Sequence, residues 1–308
     1  MPYVVVITGP TASGKTTLSL QLAEYFNSEI ISADSRQIYR RLNIGTNKIK
    51  PEDQKGIPHH LIDIVEPNEA FNAGDFTRHV DLLLQKYDDN DLVFLVGGTG
   101  FYLQALINGL DEMPEIPPSI RIKLTERLNE QGLIPLIEEL HQYDPQTYET
   151  IDVQNPKRVL RALEVIHASG GKPFSGFKGQ KLNTFPYPVL YLVIYEERDI
   201  LYERINQRVL DMIQEGLLQE VEMILSLGFD PEINALRTIG YQEPIQYLKN
   251  HMTYDDMVIL IQQNTRHYAK RQLTWCRNSL KKSSYPVHWI KYDETSLAIR
   301  LINQLLVR

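Results

Sequence analysis

A doubly wound α/β core built on a parallel sheet, interrupted by a mainly helical insertion, is the fold class the sequence predicts. Short apolar runs alternate with helical patterns, the arrangement that makes a parallel sheet covered on both faces. A glycine-rich phosphate loop joins the first apolar run to the first helix. A proline-punctuated middle section carries helical periodicity and no strand signal. With 308 residues, the chain can bury such a core without disulfides or structural metal.

The elements follow in order. "YVVVITG" (3–9), "EIISADS" (29–35), "LVFLVGG" (92–98) and "VLYLVIY" (189–195) are short, β-branched and apolar at successive positions, so they read as doubly covered parallel strands. Helical "KTTLSLQLAEYF" follows the first strand, and "AGDFTRHVDLLLQKY" precedes the third. Pro-rich "MPEIPPS" opens the insertion, whose helical stretches are "SIRIKLTERLNEQG", "IPLIEELHQY" and "NPKRVLRALEVIHASGG"; a loop, "KPFSGFKGQKLNTFPYP", closes it. The division expected is 1–113 for the first part of the core, 114–186 for the insertion and 187–308 for the second part. Helical sequence returns after the fourth strand, and "YPVHWIKYD" (285–293) offers one late strand.

Gly9, Pro10, Thr11, Ala12, Ser13, Gly14, Lys15 and Thr16 fit G-x-x-x-x-G-K-[ST] between a strand and a helix, the context the motif needs. Glycines let backbone N–H groups turn toward an anion, and the helix N-terminus adds its positive end. Lys15 supplies a point charge, and the Thr16 hydroxyl is a Mg²⁺ ligand of the usual kind. A triphosphate hydrolase of this fold usually places an Asp at the end of a second apolar strand. Here "LVFLVGGTG" ends in Gly-Gly-Thr-Gly instead, bringing Thr99 to the cleft. Asp34, in "ADSRQIY", is the carboxylate at a strand end near the loop, fit to bind metal, take a proton or cap a helix. Gln37 beside it carries an amide of the kind that pairs with an adenine edge.

Net charge is −7, which speaks against a polyanionic partner, yet it is unevenly spread. Seven basic residues and no acid lie between Met257 and Tyr292, the footprint of either a polyanion-binding face or a solvated helix. At the helical period Met257, Ile261, Tyr268 and Trp275 share one face, while Arg266, Lys270, Arg277 and Lys281 fall within about 60° of one another on the other. The aromatic stripe reads as core. A single cysteine, Cys276, rules out an internal disulfide and fits a reducing, cytoplasmic setting. The opening apolar run is too short for a membrane span. His59 and His60 lack a third spaced ligand and read as hydrogen-bonding groups.

Taken together, "GPTASGKT", "ISADSRQIYRRLNIGT", "IPHHLIDI", "LVGGTGFYLQAL", "NPKRVLRALEV", "IGYQE" and "TRHYAKRQLTW" resemble, in order and spacing, the tRNA dimethylallyltransferase family, over Gly9 to Arg277. Phe101 where the family often has Leu, Ile49 near a usual Pro and Cys276 near a usual Phe are small departures. The resemblance implies transfer of a dimethylallyl group from dimethylallyl diphosphate to the exocyclic N6 amine of the adenosine 3′ of the anticodon. The loop would then hold an isoprenoid diphosphate, with Mg²⁺ on Thr16. Lys15, Thr99 and Arg208 would be catalytic through the departing diphosphate, and Asp34 through the attacking amine. The resemblance further implies tRNA contacts at Asp34, Ser35, Arg36, Gln37 and Thr99, at Arg121, at Lys157, Arg158, Val159, Leu160 and Arg161, and at Arg237, Thr238, Ile239, Gly240, Tyr241 and Gln242. Arg266, Lys270 and Arg277 complete the expected RNA face, on a monomer. A P-loop kinase, which leaves Gly-Gly-Thr-Gly and the basic helix unexplained, and a non-catalytic, nucleotide-gated RNA-binding switch, which predicts nucleotide binding in place of an isoprenyl diphosphate, are the alternatives.

Overall fold

A computed structural model describes residues 1–179 and 185–307. In chain order its elements are β1 (Tyr3–Thr8), α1 (Lys15–Phe26), β2 (Glu29–Ser32), β3 (His59–His60), α2 (Ala73–Leu84), β4 (Leu92–Val96) and α3 (Gly100–Asn108), then α4 (Pro118–Gln131), α5 (Ile134–Tyr143), α6 (Pro145–Thr150) and α7 (Pro156–Ala168). After these come β5 (Val189–Ile194), α8 (Arg198–Gln214), α9 (Leu217–Ser226), α10 (Gln242–Leu248), α11 (Tyr254–Leu280), β6 (Val287–Ile290) and α12 (Thr295–Leu306). The chain divides into two compact units, Met1–Leu106 with Pro186–Arg308, and Ile107–Phe185.

In the larger unit the strands form one parallel sheet in the order β3-β2-β4-β1-β5-β6. Alternate residues of its inner strands, such as Val5, Ile7, Phe94 and Leu192, pack with Leu18 and Leu22 of α1 and Ile302 of α12. Intervening residues Val4, Val6, Val93, Leu95 and Val193 are at most 1 % exposed, so the sheet is covered on both faces. The late strand β6 forms as expected; β3 was not foreseen, because two histidines present no apolar run to read. Both outer strands are short, which limits exposed sheet edge. β2, β4 and β1 are sheet neighbours whose ends lie level, with Ser32 and Ile7 both in register with Val96. The loops leaving these three strands therefore meet at one carboxyl edge.

Every named element of the smaller unit is a helix. Proline stands in the first turn of each of α4 to α7, where its missing N–H costs nothing. Asn155 accepts the Lys157 amide to cap α7, and Asp144 accepts the Thr147 amide to cap α6. The core comprises Leu124, Leu136, Leu140, Val159, Ala162, Leu163 and Ile166. Burial of the Asp144 carboxyl is outweighed by hydrogen bonds from Thr147 and Ser175, which hold it below the usual carboxylate range. Residues 180–184 of the expected closing loop lie outside the described residues. Among the described residues no helix is long and apolar enough to cross a membrane.

Candidate active site at the carboxyl edge of the sheet

The phosphate loop leaves β1 at Gly9 and turns into α1 through Ala12 and Gly14, at φ 62° and 91°. A side chain at Gly14 would be strained by that angle and would also meet the Tyr292 ring at 2.5 Å. No side chain caps α1, so its first amides stand ready for an anion. Ser13 is fully buried, and its hydroxyl has no hydrogen-bond partner, a polar atom that a phosphate oxygen would satisfy.

Two cations converge on this loop. Lys15 Nζ donates to the carbonyls of Gly9 at 3.1 Å and Pro10 at 2.6 Å. Burial, with the nearby Arg208 charge, lowers its pKa to about 8 against a smaller opposing pull from Asp34. Arg208 Nη1 donates to Thr11 Oγ1 at 2.8 Å, and burial lowers the guanidinium to about 10 although Asp34 favours its charge. The neighbouring Arg204 is spent on Glu196 at 3.1 Å and on the Tyr292 ring, so Arg208 is the arginine of α8 that reaches the loop. Two half-buried cations that raise each other's energy beside one carboxylate make a site that is stabilised by a multivalent anion.

Asp34 follows β2. Its Oδ1 accepts the amides of Arg36 at 2.8 Å and Gln37 at 3.3 Å, which orients the carboxylate. It caps a turn; no helix begins there. Thr99 follows β4, and its hydroxyl accepts the Ser35 amide at 3.0 Å and faces the Ser35 hydroxyl at 3.4 Å. The close passage of these two turns requires Gly97, where a Cβ would sit 2.1 Å from the Ala33 carbonyl oxygen. Lys15, Thr16, Arg208, Asp34 and Thr99 are thus gathered at one edge.

Two residues of α11 also belong here, and sequence reading missed them. Tyr268 places its phenol beside the Thr99 hydroxyl; burial and the Asp34 charge push it up to about 12. Gln272, 7 % exposed, accepts the Thr11 amide at 2.8 Å and donates to the Gly98 carbonyl at 3.0 Å. A glutamine at helical spacing between Tyr268 and Trp275, on a packed face, was the available signal.

Many of the residues expected to contact RNA also have partners within the protein. Tyr241 is 0 % exposed, donating its hydroxyl to Glu220 Oε1 at 2.6 Å and packing on Gly45. The Glu220 carboxylate also collects the amides of Asn43, Ile44 and Gly45. Gly240 is buried, its amide given to Glu243. Val159 lies in the core of the helical unit and Leu160 packs against it. The Gln37 amide N–H is used on the Thr46 and Asn47 carbonyls, and Arg36 donates to the Asn234 carbonyl. Arg266 turns into the protein, against Asn206 and the Tyr202 ring. Arg237 pairs with Glu232, while Arg121 and Arg161 flank Glu164 at 3.0 and 3.5 Å. Gln242, Lys157, Arg158, Lys270 and Arg277 are exposed; Thr238 and Ile239 are half-buried.

The residues fit a Mg²⁺–diphosphate pair: Thr16 is an exposed hydroxyl at the loop's end, and a magnesium ion is commonly held by one or two protein oxygens together with phosphate oxygens and water.

Fold and site together define a P-loop α/β protein with a site suited to a multivalent phosphate anion. The family model for IPP transferase matches residues 37–279. A tRNA dimethylallyltransferase of Geotalea uraniireducens is 40% identical over 299 residues, 96% of this chain and 94% of that protein. One from Salinibacter ruber is 42% identical over 294 residues, 95% of this chain and 89% of that protein. Among solved structures, the full-length tRNA isopentenylpyrophosphate transferase of Bacillus halodurans matches with TM-score 0.70 and 36% identity, covering 99% of this chain and 97% of that one. A eukaryotic dimethylallyltransferase acting on tRNA matches with TM-score 0.83 and 28% identity, covering 98% of this chain and 78% of that one. This chain belongs to the IPP transferase family.

Proposed function

We propose that the chain transfers a dimethylallyl group from dimethylallyl diphosphate to the N6 amine of the adenosine 3′-adjacent to the anticodon in tRNA, releasing diphosphate. The observation that carries this reading is the convergence of two half-buried cations on a phosphate loop with one oriented carboxylate, Asp34, while β4 ends without an acid. Such a site holds a leaving diphosphate and a proton acceptor side by side.

Lys15, Arg208 and the amide end of α1 neutralise the charge that grows on the diphosphate as the allylic C–O bond breaks. Thr16 would hold a Mg²⁺, which would supply further neutralisation of the diphosphate charge. The adenine leaves its stack to reach the buried donor. Asp34, fixed through Oδ1 by the Arg36 and Gln37 amides, orients the amine and takes its proton. Thr99, between Ser35 and Tyr268, lines the path between the two. Lys270 and Arg277 on α11, and Lys157, Arg158 and Arg161 on α7, supply exposed charge for tRNA phosphates.

Incubating the protein with unmodified tRNA, Mg²⁺ and labelled dimethylallyl diphosphate tests the reading. Label should appear on that one adenosine, with an equal amount of diphosphate released. ATP-dependent phosphorylation of a small acceptor, with no label in tRNA, would refute it.

A further inference from the structure

We infer that Gln272 is a positioning residue that sets the distance between the diphosphate and the attacking amine. The inference rests on the function proposed above. Its carboxamide ties two loops that are remote in sequence: Oε1 accepts the Thr11 amide of the phosphate loop at 2.8 Å, and Nε2 donates to the Gly98 carbonyl at 3.0 Å. Both partners are backbone groups, so the bridge fixes main chain.

Each end of the bridge abuts chemistry. Thr11 is held a second time through its hydroxyl by Arg208, leaving that residue little freedom to rotate. Gly98 immediately precedes Thr99, whose hydroxyl accepts the Ser35 amide and so locks the turn to the strand end that carries Asp34. The bridge thereby spans from the leaving-group side of the site to its proton-acceptor side. A donor and an acceptor on one planar group, with the reach of two methylenes, satisfy both main-chain groups at once. Gln272 is nearly buried, so water does not substitute for it.

Its neighbours on the helix support the same function. Tyr268 and Trp275 stand one turn before and one after on the same face. Tyr268 lies beside Thr99, and the Trp275 ring lies so close under Gly100 that a Cβ there would meet it at 2.2 Å. Three successive residues of the turn, Gly98, Thr99 and Gly100, are each met by one side chain of α11. The helix is thus a rigid template for the turn, and Gln272 extends it to the phosphate loop.

Reaction between held groups is steep in their separation. Loss of the bridge therefore slows the chemical step while leaving each substrate's own binding groups in place. The test compares wild type with Gln272→Leu, which keeps the shape and loses both bonds, and Gln272→Glu, which keeps the acceptor for Thr11 and loses the donor to Gly98. Single-turnover prenyl transfer, the Kd of dimethylallyl diphosphate and the melting temperature are measured for each. In both variants the transfer rate should fall by about 10- to 100-fold, with the donor Kd within about threefold of wild type. A rate within about threefold of wild type in both variants, or a rate loss matched by an equal loss of donor affinity, would overturn the inference. The wild-type rate, measured alongside, separates that outcome from failure of the proposed function.

Discussion

Lys15 lacks a fixed carboxylate partner; it spends its protons on two loop carbonyls and shares the pocket with a second cation. Replacing it by Ala should slow prenyl transfer by about 100-fold or more, the scale of losing one charge-stabilising group, with tRNA affinity nearly unchanged in a filter-binding assay. Its lowered pKa has two opposite consequences. Between about 8 and the ordinary value of 10.5 the lysine is neutral when folded and charged when unfolded. The unfolded chain then binds more protons, so this group's contribution to stability rises with pH through that window. Donor binding favours the charged form, so affinity for dimethylallyl diphosphate should fall as pH passes about 8, and titration calorimetry should find that fall flattened in Lys15→Ala. Asp34→Asn keeps an oxygen for the Arg36 and Gln37 amides and removes the proton acceptor. A rate loss of about 10² to 10⁴ with an unchanged melting temperature is expected; full activity with a lowered melting temperature would reduce Asp34 to a turn cap. At this scale the sequence was informative about the chemistry and poor at separating contact from support. Motif blocks hold both kinds of residue, and nothing in the letters distinguishes Tyr241, sealed on Glu220, from Gln242, exposed beside it.

The helix α11 has two faces with different work. Its inner face was foreseen from the 3.6-residue period, although the aromatic stripe proved to include a site neighbour, Tyr268, and the glutamine between the aromatics escaped notice. Its outer face was foreseen as one basic stripe, yet Arg266 bends back to Asn206 and Tyr202 of α8 while Lys270 and Arg277 remain exposed. Periodicity gives the direction of a Cα–Cβ bond; a long arginine can carry its guanidinium elsewhere. The stripe therefore divides by experiment. In Lys270→Gln with Arg277→Gln, the slope of log tRNA affinity against log salt should drop by roughly 0.7 to 0.9 for each phosphate that is no longer neutralised. Arg266→Gln should leave that slope unchanged and lower the melting temperature. A full slope change in Arg266→Gln would return it to the RNA face.

At the scale of the whole molecule, sheet type and the helical insertion were legible because they rest on long, repeated signals, and the late strand because a short apolar stretch stands between two helical patterns. Strand order was not, since pairing between distant segments leaves no local trace. β3 was invisible for a simpler reason: it is two residues long, and its histidines are used locally, His60 on Glu29 at 2.7 Å and His59 on the Ile57 carbonyl at 2.8 Å. The helical unit presents Lys157, Arg158 and Arg161 beside a core that includes Val159. Changing the three basic residues to Gln should lower affinity by a similar factor for tRNAs with and without the target adenosine, because phosphate contacts position RNA without reading it. Loss confined to the target tRNA would assign this face to base recognition.

The first strand of the chain lies inside the sheet, with Val4 paired to Val189 on one side and to Val93 on the other. A ribosome adding roughly 5–20 residues per second makes β1 about 10 to 40 s before it makes β5. Through that interval the nascent chain carries an apolar edge with its pairing groups unmet. The phosphate loop waits longer still, because the second cation that converges on it is carried by Arg208 of α8. Donor capture is thus reserved for a chain that has been made past α8, and chains arrested before β5 should be digested by protease at the first strand whether or not dimethylallyl diphosphate is present.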